Sequence, residues 1–136
     1  KSIERSIDKK SKLGLMLSGG LDSGSIALGF KNLGINDLET FSCNFTHLPK
    51  DIINLTDESR FQSLISKRLK YKHNHLPLKG ASPLESIEEY MHIFFEPFHM
   101  PNLYIFEKIA ISAKEKGVRI IFDGQDELRQ NFQLKL

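Results

Sequence analysis

Residues 13–34, LGLMLSGGLDSGSIALGFKNLG, carry the clearest structural signals of the sequence. It begins with the continuous apolar run LGLML, which is typical of a strand covered on both faces of a parallel sheet. Two glycines follow, and the residues after them place apolar side chains at helical spacing up to a stop at Gly34. These apolar positions are Leu21, Ile26, Leu28, Phe30 and Leu33. Residues 13–34 therefore predict a strand, a glycine turn and a helix.

The next segment repeats this alternation of strand and helix. The stretch ETFSCNF, residues 39–45, predicts a second strand, and the polar stretch THLPKDIINL, residues 46–55, predicts a loop. A helix is predicted over residues 57–69, with Asp57 and Glu58 in its first turn, where the helix dipole favours negative charge. Apolar side chains recur along it at helical spacing. They are Phe61, Leu64, Ile65 and Leu69.

The second half of the chain continues the pattern. Residues 71–78 alternate like a strand, and a helix is predicted after Ser82 as its N-cap, with Pro83 at the first helical position. Residues 102–117 predict another amphipathic helix, and VRIIFDG, residues 118–124, predicts a fourth strand. Such alternation predicts an α/β fold, with an open parallel sheet and helices on both faces. Ligands of these sheets bind beyond the carboxyl ends of the strands, where SGGLDS and DGQDE lie.

Composition limits the classes of function. The 136 residues are 40% hydrophobic and 26% charged, and 19 basic against 17 acidic side chains leave a net charge of +2. This balance argues against nucleic acid and against an acidic membrane surface as partners. The single cysteine, Cys43, cannot form an internal disulfide, and no apolar run approaches the roughly 20 residues of a membrane span. We therefore expect a cytoplasmic protein that makes no membrane contact.

The turn at residues 18–23, SGGLDS, predicts a phosphate site. Gly19 and Gly20 allow unusual backbone conformations and leave no Cβ in the way of an approaching group, so several N–H groups can converge on one anion. The following helix directs its positive end to the same place, and the hydroxyls of Ser18, Ser23 and Ser25 add donors. Asp22 would repel a phosphate, so a Mg²⁺ ion that bridges carboxylate and phosphate oxygens is predicted between them. The alternative is a plain turn in which Asp22 caps the helix.

The same stretch resembles the pyrophosphate loop of the ATP pyrophosphatases, which split ATP into AMP and pyrophosphate. Three later stretches narrow the resemblance: DES at residues 57–59, EPFHMPN at 96–102 and FDGQDEL at 122–128. Taken in order, they resemble the synthetase domain of the glutamine-hydrolysing asparagine synthetase family, over nearly the whole chain. The resemblance implies an adenine nucleotide alpha hydrolase-like fold, related to the Rossmann fold, with one ATP-binding synthetase domain over residues 1–136.

The resemblance also implies roles for individual residues. The residues that would hold the ATP phosphates are Leu17, Ser18, Gly19, Gly20, Asp22 and Ser23. Cys43 matches the position whose backbone reads the adenine, and Gly124 would lie against the adenylate. Asp22 and Asp126 match the two aspartates that bind Mg²⁺ and would be the catalytic pair.

The activity that the resemblance implies is that of an ATP-dependent amidoligase. The enzyme would adenylate a carboxylate, by default aspartate, release pyrophosphate and form an amide with ammonia, a reaction of amino-acid biosynthesis. Its partners would be a small carboxylic acid, an amine and a glutaminase domain carried elsewhere, because such a domain uses an N-terminal cysteine and Cys43 lies inside a predicted strand. The sequence begins at Lys1 within an amphipathic stretch, so we expect it to be a piece of a longer chain. A homo-oligomer stays an open alternative.

The last loop departs from the family pattern. Many members read Ser-Gly-Glu-Gly-x-Asp-Glu there, with the glutamate assisting acyl transfer, whereas this chain reads DGQDE from Asp123 to Glu127. Gln125 cannot act as a base, which favours a relative that closes a lactam or a peptide ring. The shortened loop favours another alternative, a degenerate nucleotide-binding module. Either the loop is shortened or residues are absent from this chain.

Two further patterns suggest other functions. His73 and His75 lie two apart on a predicted strand and face the same side, so they are candidates for zinc, with surface histidines as the default interpretation. The basic run KRLKYK, residues 67–72, is a candidate RNA contact, as in the tRNA-modifying relatives. The balanced net charge favours a solvated helix end instead.

Overall fold

Four parallel strands form the centre of the protein. The computed structural model describes residues 11–45, 48–80, 82, 84, 87–94 and 102–124. The strands are β1 (Leu13–Met16), β2 (Leu38–Asn44), β3 (Lys72–Pro77) and β4 (Ile120–Phe122). They lie in the order β3-β2-β1-β4, and every pair is parallel. The predicted open parallel sheet is confirmed.

The register of the sheet brings three carboxyl ends together. Leu13 of β1 lies opposite Leu38 of β2 on one side and Ile120 of β4 on the other. The Leu17 N–H donates to the Phe41 carbonyl at 2.8 Å, which extends the pairing of β1 and β2 by one residue. The chain therefore leaves β1 between two neighbouring strands, in the crevice where parallel sheets bind ligands.

Five helices connect or follow these strands within the residues that the structure describes. They are α1 (Leu21–Asn32), α2 (Lys50–Thr56), α3 (Ser59–Leu69), α4 (Ile87–Phe94) and α5 (Leu103–Glu115). The helices predicted at α1, α3 and α5 are confirmed. Among the described residues, no helix combines the length and the apolarity that crossing a membrane requires.

Two predictions about the connecting segments are wrong. The stretch taken for a polar loop contains α2, which follows Pro49 and carries Asp51 in its first turn. The fourth helix begins at Ile87 rather than directly after Ser82. The Ser82 hydroxyl instead accepts the N–H of Leu84, at 3.2 Å, in a turn that precedes the helix. Short helices and their first residues have weak local signals, so packing decides them.

Buried side chains form one apolar cluster on each face of the sheet. On one face, Leu13, Leu15 and Leu17 of the β1 segment pack with Ala27 and Phe30 of α1, together with Leu38 and Tyr71. On the other face, Phe41 of β2 packs with Ile109 and Ala113 of α5 and with Val118. The alternation of side chains along a strand supplies both clusters. Helices therefore cover both faces, as the sequence predicts.

Helix α3 buries a different face from the predicted one. Phe61 and Leu64 are 56% and 60% exposed, whereas Gln62 and Ser66 are 5% and 2% exposed. Of the four apolar positions, Ile65 and Leu69 pack against the core. The predicted helix is confirmed, but the face that it buries is rotated relative to the predicted apolar face. The strand face on this side carries the polar residues Thr40 and Ser42, both buried, so polar side chains of α3 find partners there.

Candidate functional site

A cavity of about 580 Å³ lies at the carboxyl ends of β1 and β2. This volume is within the usual range for small-molecule sites, roughly 300–1,000 Å³. The segment after β1, the start of α3 and the residues after β4 contribute its polar lining, and α5 contributes apolar side chains. The two loops singled out by sequence, SGGLDS and the start of DGQDE, thus face one cavity.

Hydroxyl groups tie the loop after β1 to the first turn of α1. The Ser18 N–H donates to the Ser23 hydroxyl at 3.2 Å, and the Ser18 and Ser23 hydroxyl oxygens are 3.0 Å apart. The Gly20 N–H donates to the Ser18 hydroxyl oxygen, also at 3.2 Å. Ser23 is 3% exposed and Ser18 lies at the surface. The loop is therefore held in one shape by its own serines before any ligand arrives.

Only one of the two loop glycines has a conformation that requires glycine. Gly19 has φ +96°, and a Cβ built on it would lie 3.1 Å from both the carbonyl oxygen and the Cβ of Glu58. Gly20 has φ −75°, and its nearest atom to a built Cβ is the Ser18 hydroxyl at 3.4 Å. The prediction that both glycines adopt conformations closed to other residues therefore holds for Gly19 and is wrong for Gly20.

Two buried side chains hold the loop from the side of the protein, and sequence reasoning missed both. The Ser42 hydroxyl of β2 donates to the Leu17 carbonyl, and the Gln62 amide nitrogen of α3 donates to the Ser18 carbonyl at 3.0 Å. The other amide atom of Gln62, Oε1, is buried and accepts no hydrogen bond from the described residues. No sequence signal distinguishes Gln62, because a glutamine on a helix normally faces solvent.

Carboxylates from three parts of the chain line the cavity. Asp22 lies in the first turn of α1, Asp57 and Glu58 precede α3, and Asp123 follows β4. The Asp57 carboxylate accepts the N–H and the hydroxyl of Ser59, at 3.0 and 2.9 Å, which anchors the start of α3. Among the described residues that line the cavity, none is Lys, Arg or His. A polyanion therefore needs a cation to enter this site.

The other predicted site residues fall in two groups. Leu17, Cys43 and Gly124 line the cavity. A Cβ built on Gly124 would lie 3.3 Å from the Ser23 nitrogen, so Gly124, the second residue after β4, packs directly on the start of α1. Burial raises the pKa of the Cys43 thiol to about 11, which leaves it neutral and poorly nucleophilic. The predicted metal ligand Asp126 lies outside the described residues, as does Gln125.

One wall of the cavity is apolar. Ile105, Phe106 and Ile109 of α5 line it, together with Phe41 of β2. Asn102, at the N-cap of α5, is the polar residue at the start of this wall. The wall suits a flat or apolar group. The carboxylates and the loop of residues 18–23, which we call the serine loop, suit phosphates with a cation. The cavity thus has the two characters that a nucleotide requires.

The histidine pair lies away from this cavity. The His73 and His75 rings meet edge to face with centroids 4.2 Å apart. No group of three or more metal-binding side chains occurs in the part of the chain that the structure describes. The default interpretation as surface histidines fits exposed His75 but is wrong for His73, which is half-buried. The alternating sequence pattern of β3 could not reveal this, because it does not show that α3 packs on the side of the strand that carries the two histidines.

The hydrogen bonds of His73 define its tautomer. The Thr40 hydroxyl donates its proton to the Lys72 carbonyl at 2.9 Å, so it accepts the hydrogen bond of 2.8 Å from His73 Nδ1. Nε2 then carries no proton, and it is buried without a partner among the described residues. Burial, with a smaller contribution from His75, lowers the pKa of His73 from 6.5 to about 4.

We expect this histidine to make folding pH-dependent. Between pH 6.5 and 4 the unfolded chain binds a proton that folded His73 does not, so the free energy of unfolding falls as the pH falls. After allowance for solvent screening the loss is about 2 kcal/mol. Urea unfolding of the wild type and of His73→Gln at several pH values measures it. An equal fall in both proteins would contradict the prediction.

Comparison with known proteins agrees with this geometry. The family model for asparagine synthase matches residues 1–128. The chain belongs to the asparagine synthase family. A comparison with curated proteins found no match. The resemblance predicted from SGGLDS and the three later stretches is confirmed at the level of the family.

Solved structures share the fold of this asparagine synthase family member. One is described as a predicted subunit of tRNA methyltransferase from Methanocaldococcus jannaschii, with 22% identity, a TM-score of 0.52, and coverage of 90% of this chain and 58% of that one. Another is the NH3-dependent NAD synthetase from Campylobacter jejuni, with 12% identity, a TM-score of 0.53 and coverage of 86% and 49%. The chain thus spans about half the length of these structures. At these identities the likeness shows the α/β fold.

Proposed function

We propose that this chain is the ATP-binding part of an amidoligase that activates a carboxylic acid. The observation that carries the proposal is the placement of the serine loop, in which Gly19 has a positive φ. The loop lies at the carboxyl end of the central strand β1, and Gly124, which follows β4, packs against its last residues, Asp22 and Ser23. Membership of the asparagine synthase family supports ATP as the co-substrate. The phosphates would lie on the loop and the start of α1, where free helix N–H groups favour anions.

The chemistry follows from that placement. A carboxylate oxygen of the acid attacks the α-phosphorus of ATP, the bond to the bridging oxygen breaks, and pyrophosphate leaves. The amine then attacks the acyl carbon, AMP leaves, and the amine loses a proton, which gives the amide. Aspartate and ammonia are the first pair to test. The serine loop would hold the pyrophosphate while it leaves, which is differential binding of the transition state.

A magnesium ion fits the donor set of this cavity. Carboxylate oxygens are ligands that Mg²⁺ prefers, and Asp22 and Asp123 lie on the two sides of the contact between Gly124 and α1. Asp22 would hold the ion, and Asp126 would be the second ligand by resemblance to the family. When bound, the ion neutralises phosphate charge. The four carboxylates of the lining, and the absence of Lys, Arg and His from its described residues, support this assignment.

The experiment that tests the proposal is exchange of labelled pyrophosphate into ATP in the presence of candidate acids. We expect exchange with Mg²⁺ and the cognate acid, and none with either omitted. Aspartate-dependent exchange followed by asparagine formation with ammonia would identify the reaction fully. Binding of Mg-ATP without exchange for any acid would support the degenerate module instead. No binding of Mg-ATP would contradict the proposal.

A second candidate activity is closure of a lactam or peptide ring. Gln125 stands where many family members carry the assisting glutamate, and the apolar wall of Ile105, Phe106 and Ile109 suits an acid larger than aspartate. Such an enzyme would show pyrophosphate exchange with an acid that carries its own amine. AMP would then form without added ammonia, which distinguishes this activity from the first.

A further inference from the structure

Helix α3 buries an amide against the serine loop. Gln62 is 5% exposed, and its Nε2 donates to the Ser18 carbonyl at 3.0 Å. The same side chain packs on the next residue, since a Cβ on Gly19 would lie 3.3 Å from Gln62 Cγ. Oε1 has no partner among the described residues, and an exchange of the two amide atoms would place two acceptors face to face. The orientation of the amide is therefore set by the loop.

The contact fixes one peptide plane of the loop. The Ser18 carbonyl and the Gly19 N–H belong to the same peptide, and in a trans peptide they point in opposite directions. The neighbouring N–H groups are already used, since that of Ser18 donates to Ser23 and that of Gly20 donates to Ser18. The Gly19 N–H has no hydrogen-bond partner among the described residues, and Gly19 is partly exposed between Ser18 and Gly20, which both line the cavity.

We propose that Gln62 is a positioning residue, which anchors the Ser18 carbonyl and thereby directs the Gly19 N–H at the phosphates of the nucleotide. This inference rests on the proposed function, because it assigns the ligand of the serine loop. It also explains why α3 exposes Phe61 and Leu64 while it buries Gln62. Packing alone would favour burial of the apolar side chains, whereas the loop needs a donor at this position.

The test compares ligands that do and do not carry a pyrophosphate group. Gln62→Met keeps the length of the side chain but removes the donor. The matched control is Ser66→Ala, which alters another buried polar side chain of α3 whose hydroxyl donates to Ser63 and not to the loop. Calorimetric titrations with Mg-ATP, Mg-pyrophosphate and AMP are carried out on the 136-residue chain, and thermal unfolding reports the stability of each variant.

We expect Gln62→Met to weaken binding of Mg-ATP and Mg-pyrophosphate roughly tenfold, the effect of one charge-assisted hydrogen bond, and to leave AMP affinity unchanged. Ser66→Ala keeps all three affinities. Equal affinities in Gln62→Met and the wild type, or an equal loss for AMP, would overturn the inference and leave the proposed function intact. A wild type that binds neither Mg-ATP nor Mg-pyrophosphate would instead overturn the proposed function and the inference together.

A second measurement needs no variant. In the wild type, Mg-pyrophosphate is expected to shift the backbone amide resonance of Gly19 downfield, as a new hydrogen bond to an anion does. If the variant fails to fold, this measurement still decides the question. A Gly19 resonance that stays in place, while other amides of the loop move on binding, would overturn the inference.

Discussion

Asp22→Ala is expected to reverse the magnesium dependence of ATP binding. In the wild type the carboxylate lies in the first turn of α1 and lines a cavity with three further carboxylates and no basic side chain among its described lining. If the carboxylate holds Mg²⁺, as we propose, its loss should weaken ATP binding in the presence of Mg²⁺ about 100-fold, or roughly 2.7 kcal/mol. Without Mg²⁺ it repels the phosphates, so the variant should bind ATP as well as or better than the wild type.

This crossing of affinities separates two interpretations of Asp22. A residue that only caps α1 would change ATP affinity by the same factor with and without Mg²⁺. Calorimetric titration of both proteins, in magnesium and in chelator, measures the four affinities. The control is Asp37→Asn, which makes the same change in net charge. Asp37 is exposed and directly precedes β2, so it lies at the amino-terminal end of the strands, opposite the cavity. It should leave all affinities within about twofold, as expected for a distant, screened charge.

Gly19→Ala is expected to have the largest effect on the loop itself. The new Cβ would meet the Glu58 carbonyl oxygen at 3.1 Å, and φ +96° is a conformation that L-residues rarely adopt. The strain of such a backbone costs on the order of 1–3 kcal/mol, and the overlap with Glu58 adds to it. We expect a loss of about 3 kcal/mol in the free energy of unfolding, or a rearranged loop that no longer binds Mg-ATP.

Two other glycines separate the causes of this effect. Gly34→Ala has a positive φ of +77° but open space around its Cβ, so it should show the backbone cost alone, about 1 kcal/mol. Gly20→Ala has an ordinary φ and only a 3.4 Å contact with the Ser18 hydroxyl, so it should change stability little. Urea unfolding of the three variants gives the ranking. A loss for Gly20→Ala as large as that for Gly19→Ala would contradict this account.

The sequence predicted the architecture because its signals there are local. The apolar run at residues 13–17, the glycines after it and the helical spacing up to Gly34 each depend on near neighbours. Strands that alternate with helices then leave few topologies, and parallel pairing with helices on both faces follows. The position of the site is equally determined, because the carboxyl ends of parallel strands meet at one edge. Asp22 and Gly124 were both expected at that edge, and the structure brings them together.

The segments that the sequence misassigned are those in which long-range contacts decide. Residues 50–56 form α2 although their own residues read as a polar loop, and Ile53 of that helix lines the cavity. A seven-residue helix has too few internal hydrogen bonds to be recognised from propensity. The pattern of β3 suggests that His73 lies at the surface, because alternation alone does not show on which side of the strand the preceding helix α3 packs.

Periodicity and glycine spacing are properties of the chain, so the sequence was sufficient to predict a parallel α/β domain with a glycine-containing loop after β1. The buried face of α3 and the side chains that hold the loop depend on contacts between distant residues, so they became visible in the folded protein. Hydrophobic spacing pointed to Phe61 and Leu64, but the polar strand face and the Ser18 carbonyl select Gln62 instead. The hydrogen bond to the Ser18 carbonyl offsets the cost of burying the Gln62 amide, and no local sequence pattern shows that this partner is there.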